Sequence, residues 1–126
     1  MPNPLATAQL MAFVTTTSAA RAKAFYRDVL GLTFLSEDDF ALVFDAHGTP
    51  LRVAIAQQVS AAPYTVLGWQ VPDAATTVQV LTHAGVVFER YSFMTQDALG
   101  IWDAPGGARV AWFKDPDGNL LSVSQH

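Results

Sequence analysis

Along Gln9–Thr16 the side chains fall into two alternating sets, Leu10, Ala12 and Val14 on one side and Met11, Phe13 and Thr15 on the other, which is the period of a strand. Both sets are largely apolar, so neither face of this strand is expected to meet bulk water. From Ser18 the period changes. Ala22, Phe25, Tyr26, Val29 and Leu30 share one side of a helix whose other side carries Arg21, Lys23, Arg27 and Asp28, with Ser18 as its N-cap and Gly31 as its stop. Phe25 is expected in the core. Leu32–Leu35, Phe40–Phe44 and Leu51–Ala56 then read as strands, the first two joined by the acidic turn Ser36-Glu37-Asp38-Asp39 and the third following Gly48. Met1–Ala8, with its prolines and asparagine, reads as a loose lead-in.

The same order recurs after Gln57–Pro63, a small, polar stretch that reads as the connection between halves. Val66–Val71 is a strand with Leu67, Trp69 and Val71 toward a helix; Pro72 and Asp73 open that helix, Ala74, Val78 and Leu81 point inward, and Gly85 ends it. Val86–Glu89 starts a further strand. The clearest hairpin of the chain is AWFKDPDGNLLSVSQ, Ala111–Gln125, in which Pro116 presets φ for a turn and Gly118 can take φ > 0. Ala41–Val53 aligns with Ala111–Val123 without a gap, Asp45 on Asp115 and Gly48 on Gly118. Each half therefore reads β-α-β-β-β. The second carries an extra segment of about sixteen residues between Arg90 and Arg109, holding Tyr91, Phe93, Met94, Trp102 and the turn Ala104-Pro105-Gly106-Gly107. Apolar loops of this size commonly cover something.

Two such halves, with Phe25-Tyr26-Arg27-Asp28-Val29-Leu30-Gly31-Leu32 and Phe113-Lys114-Asp115-Pro116-Asp117-Gly118-Asn119 as the matching strings, resemble the vicinal oxygen chelate superfamily, which includes glyoxalase I, bleomycin-resistance proteins and extradiol dioxygenases. The resemblance spans about residues 8–125. It implies an α+β fold: two βαβββ modules, about 8–57 and 64–125 of a single domain, forming a curved mixed sheet around a cavity with the helices on its outer face. It also implies a homodimer. It does not fix a reaction, because this fold hosts many chemistries.

Composition narrows the partners. A chain of 126 residues that is 51% apolar is long enough to bury a sizeable core as one domain. Only 14% of residues are charged and the net charge is −4, so the basic footprint of a nucleic-acid binder is missing. With no cysteine there is no disulfide, thiol nucleophile or thiolate metal site. The first twenty residues hold no Lys or Arg and no apolar run could span a bilayer, so neither a signal peptide nor a membrane helix is expected and a cytoplasmic location is the default.

In metal-dependent relatives, the resemblance implies, His or Glu side chains converge from the first and last strands of each half. Carried over residue by residue, those positions fall on Met11, Arg52, Ser122 and either Val66 or Thr65. A thioether, a guanidinium, a hydroxyl and an apolar or second hydroxyl side chain do not make a site for Zn²⁺, Ni²⁺, Mn²⁺ or Fe²⁺. No metal and no cofactor are therefore expected, and glyoxalase I or extradiol-dioxygenase chemistry in its usual form is set aside. His47, His83 and His126 sit at a turn, a helix end and the C-terminus, and read as structural or solvated; Asp115 and Asp117 read as turn formers rather than a carboxylate dyad.

What remains is a lining of ligand-binding candidates: Met11, Phe13, Arg52, Gln70, Trp102, Trp112 and Ser122. An arginine directed into the sheet needs a carboxylate, phosphate or carbonyl partner, supplied either by a ligand or by an acidic loop residue of the protein. The expected activity is metal-independent binding of a small, aromatic or anionic organic molecule between the strand of Arg52 and the segment of Trp102. The alternative is a lyase, isomerase or dioxygenase-type enzyme with an atypical metal site or none.

Overall fold

The structure, a computed structural model, describes residues 3–126, so Met1 and Pro2 of the lead-in lie outside the described residues. It divides into two compact units, 1–59 and 60–126, and the division falls within Gln57–Pro63.

The first unit begins with a 3-10 turn at Pro4–Thr7 where a loose lead-in is expected; the Asn3 side chain caps it by accepting from the Leu5 amide. Strand β1 is Ala12–Thr16, three residues shorter at its start than the alternation suggests. Helix α1, Ala19–Lys23, is capped by the Ser18 hydroxyl, which accepts from the Arg21 amide. It runs into a π-helical turn, Ala24–Val29, where the Leu30 amide reaches back to the Phe25 carbonyl, and stops at Gly31 with φ +77°. Strands β2 (Thr33–Glu37), β3 (Ala41–Ala46) and β4 (Thr49–Ile55) complete a sheet in the order β1-β4-β3-β2. The β1–β4 pair is parallel and the others antiparallel, so the sheet is mixed.

One face of this sheet is core: Val14, Val53, Leu42, Phe44 and Leu51 are buried there. Tyr26 is the aromatic that fills it, its ring 5.8 Å from that of Phe44, while Phe25 is only half-buried and stacks edge-on against Tyr26. The π-helical turn shifts the helical phase by one residue, which brings Tyr26 inward in place of Phe25.

The second unit repeats the plan with β5 (Leu67–Gln70), α2 (Ala74–His83), β6 (Trp102–Asp103), β7 (Arg109–Lys114) and β8 (Leu120–Gln125), ordered β5-β8-β7-β6. Asp73 caps α2, accepting from the Thr76 amide. Helix α2 lies on β7 and β8, and Ala74, Val78, Ala111, Phe113, Leu121 and Val123 are buried in this core.

Here Val86–Glu89 does not become a strand. Only Phe88 bridges to Phe113, and the Glu89 amide donates to the Trp112 carbonyl at 2.8 Å. The edge position beside β7 is instead shared: Phe88 and Glu89 hold one end, Trp102 and Asp103 the other, and residues 90–101 bulge out between them. Beyond Glu89 the chain leaves the ladder: Tyr91 packs on Phe93 and Trp112, and the Met94 amide turns back to the Tyr91 carbonyl.

The hairpins also correct the gapless alignment. Arg52 lies opposite Val43, whereas Ser122 lies opposite Trp112, so when β4 is laid on β8 the preceding strands differ by one residue. The cause is loop length: β3 and β4 meet through the tight pair His47-Gly48, with φ of 49° and 92°, while β7 and β8 are joined through Asp115–Asn119.

Candidate functional site

The alternation that buries one face of each sheet leaves the other to be read as a binding surface. In the first unit Phe13, Arg52 and Val43 stand in one cross-strand row with Ser36 beyond them. Phe13 is 59% exposed, and Arg52 is half-buried between it and Val43. Met11 precedes β1 and is exposed. Arg52 makes no ion pair among the described residues. Its charge acts on Asp38, whose carboxyl is held below the usual range mainly because it accepts hydrogen bonds from the Phe40 and Ala41 amides, at 2.8 and 2.9 Å; burial opposes this and the Arg52 charge adds to it. A carboxyl lowered in this way favours the folded state above its unfolded pKa, and the benefit is lost as pH falls through the folded value.

In the second unit the corresponding face carries Gly68, Ser122 and Trp112 in one row, and Gln70, Ser124, Val110 and Trp102 in the next. Gly68 leaves room for the Ser122 hydroxyl there: a Cβ would lie 2.9 Å from its oxygen, so the serine would have to turn aside. Ser122 is buried, and Gln70 lies apart from the tryptophans, lining a hollow of about 380 Å³ with Val71, Pro72 and His126.

Trp112 is the centre of an aromatic string. Its indole N–H donates to the Thr65 hydroxyl at 3.1 Å, Tyr91 meets it edge-on at 5.8 Å, and the Trp102 ring lies 6.0 Å away. Phe93 extends the string from Tyr91 at 5.3 Å. The two ends, Phe93 and Trp102, line one groove of about 650 Å³, together with Met94, Thr95, Gln96, Asp97, Ile101 and Asp103. The Tyr91 hydroxyl is pushed above its usual pKa by burial and by the nearby Glu89 charge, with Lys114, ion-paired to Glu89 at 3.3 Å, pulling the other way.

The bulging segment is held by polar residues that sequence reasoning passed over. Gln96 accepts from the Tyr91 amide at 2.7 Å and donates to the Glu89 and Gly100 carbonyls at 2.9 and 3.0 Å. Arg90 donates to the carbonyls of Asp97 and Ala98, and the Asp97 carboxylate accepts from the Leu99 and Ile101 amides. The sequence signal was available: Gln96 and Asp97 stand in a loop rich in apolar residues, where polar side chains tend to satisfy backbone groups. Gln96→Leu is expected to lower stability by roughly 1–3 kcal/mol through the backbone groups it strands, and to speed amide exchange across residues 90–101; urea denaturation and hydrogen exchange check both.

The register also relates the positions at which the family resemblance implies metal ligands. Phe13 pairs with Arg52 as Gly68 pairs with Ser122, so Met11 corresponds to Val66 rather than to Thr65. Met11 and Arg52 in the first unit, and Val66 and Ser122 in the second, include no carboxylate or imidazole, the side chains that a divalent metal would need from each. No three His, Asp or Glu side chains stand together as a metal-binding group among the described residues.

Comparison with known proteins agrees with the architecture. The chain resembles a glyoxalase family protein from Bacillus anthracis (TM-score 0.74, 16% identity, covering 100% of this chain and 99% of that one) and a lactoylglutathione lyase from Agrobacterium tumefaciens (0.70, 19%, 94% and 93%). It also resembles a genomically encoded fosfomycin resistance protein from Listeria monocytogenes (0.72, 11%, 95% and 93%). At these identities the likeness is one of fold. No curated protein matches the chain. Residues 8–123, however, match the sequence profile of a single family, and with the paired βαβββ units this places the chain in the Glyoxalase/Bleomycin resistance protein/Dioxygenase superfamily.

Proposed function

We propose that this chain binds a flat, small organic molecule without a metal ion, its ring system packed against the aromatic string of residues 60–126. One observation carries this reading: Phe93, Tyr91, Trp112 and Trp102 form a continuous run of rings whose two ends flank a groove of about 650 Å³. That volume lies within the range that holds drug-sized ligands, and ring faces supply both desolvated area and orientation. In the other unit Arg52, flanked by Phe13 and Val43 and without an ion pair among the described residues, is a receptor for an anionic or carbonyl group. Leu10, Phe13, Leu35 and Phe40 are more than half exposed, which supports a homodimer as part of the same reading.

Tryptophan fluorescence titrated with a panel of aromatic acids and antibiotics tests the two surfaces by separate variants. Trp102→Leu is expected to weaken ring-bearing ligands about tenfold or more. Arg52→Ala is expected to weaken acidic or carbonyl-bearing ones by roughly 1.5–3 kcal/mol, the size of a charged hydrogen bond, with the fold intact. A ligand that binds wild type and both variants equally would overturn the reading.

The competing class, a lyase, isomerase or dioxygenase-type enzyme with an atypical metal site, is supported by the likeness to a lactoylglutathione lyase. Metal analysis of untagged protein separates the two. Chelation with EDTA is expected to leave the melting temperature unchanged, whereas removal of a metal bound only by the native state would lower it by several degrees. Stoichiometric metal together with such a drop would favour the enzyme.

A further inference from the structure

We infer that the groove between Phe93 and Trp102 selects flat organic cations over neutral molecules of the same shape. This rests on the aromatic binding proposed above and adds a charge preference to it.

The preference follows from what the groove wall can donate and accept. Two carboxylates, Asp97 and Asp103, lie along it, and no lysine or arginine does. Arg109 is shared between them, reaching Asp103 at 3.0 Å and Asp97 at 3.4 Å, but it does not itself line the groove. Arg90, a second cation beside Asp97, has donors turned to the carbonyls of Asp97 and Ala98 and is likewise absent from the lining, so the charge that an incoming molecule meets directly is that of the carboxylates. Gln96 does not provide donors either, because both its amide contacts run to the carbonyls of Glu89 and Gly100. What faces an incoming molecule is therefore carboxylate oxygen, the Thr95 hydroxyl, the Met94 thioether and aromatic rings, with no cationic donor among them.

Ring faces favour a positive charge placed over them, through the quadrupole of the π system. Phe93 is 79% exposed and so presents its ring to a ligand rather than to the core. The Asp103 side chain is 80% exposed and its only described partner is Arg109, which makes it a rim group whose charge can be removed without unravelling the segment. Asp97 is different, since it holds the Leu99 and Ile101 amides and cannot be changed cleanly.

The test is calorimetric titration of the full chain with N-methylquinolinium and with quinoline, which is neutral near pH 7, against wild type, Asp103→Asn and Trp102→Leu, each checked for folding by circular dichroism. The cation is expected to bind wild type about tenfold more tightly than quinoline, in line with a desolvated cation–π contact beside a carboxylate. Asp103→Asn should reduce that ratio severalfold, and added salt should weaken the cation more than quinoline. Equal binding of the two probes, both lost in Trp102→Leu, would overturn the charge preference while leaving the aromatic reading in place. Binding of neither probe, or binding of both unaffected by Trp102→Leu, would overturn both.

Discussion

Replacing Asp115 by alanine is expected to destabilise the protein by about 2–4 kcal/mol, read as a lower urea midpoint with an unchanged slope. The Asp115 carboxylate is buried at the head of the β7–β8 connection and accepts from the Asp117 and Asn119 amides at 3.0 and 2.9 Å and from the Asn119 side chain at 2.8 Å. Truncation removes the shared acceptor of all three donors, two of them in a buried residue. Asp115→Asn keeps an acceptor and should recover part of the loss. Gly118, at φ +86°, should cost on the order of 1 kcal/mol when changed to alanine, because the strain is in the backbone; an added Cβ would meet only Ala61 at an ordinary 3.6 Å. The sequence alone suggests that alanine at Asn119 is milder. Its burial and its contact with Asp115 make the two comparable. If Asp115→Ala were silent, the turn would not set the register that puts Trp112 opposite Ser122.

A larger loss, about 3–5 kcal/mol, is expected for Phe113→Ala. Phe113 is 1% exposed, lies 5.4 Å from Phe88 and 6.5 Å from Trp69 by ring centroids, and is the residue through which Phe88 joins the sheet. The cavity left by the ring cannot be refilled easily, since helix α2 rests on the same strands. Because Phe88 anchors one end of the bulging segment, the variant should also alter the fluorescence of Trp102 and Trp112. Thermal or urea denaturation followed at two wavelengths checks both effects; a loss under 1 kcal/mol would mean that the strand order in this unit is wrong.

Much of the architecture was legible because its signals are local. Ser18 and Asp73 cap helices where a polar side chain precedes an apolar stripe, and Asp-Pro-Asp-Gly-Asn can scarcely do anything but turn. The misreadings came from pairings that no local rule fixes. Val86–Glu89 has strand composition, yet a strand exists only if a neighbour accepts its ladder, and β7 gives half of that edge to Trp102 and Asp103. Matching glycines at Gly48 and Gly118 concealed a difference in loop length, because a gapless alignment counts residues and not hydrogen bonds. Of the binding surface, the residue types could be read but not their company: Trp102 and Trp112 are evident in the sequence, whereas their connection through Tyr91 to Phe93, and the role of Gln96 in fixing it, depend on side-chain geometry.

The shared edge beside β7 also bears on how the protein avoids sticking to itself. A sheet that ends in a long, straight strand offers a full row of free amides and carbonyls, and any extended peptide can extend it. Here the last position is filled in two short pieces with residues 90–101 standing out between them, and neither piece is long enough to template another strand. The segment that holds the rings thus also blunts the sheet, so shortening it to tune ligand preference would straighten the edge and trade recognition for aggregation.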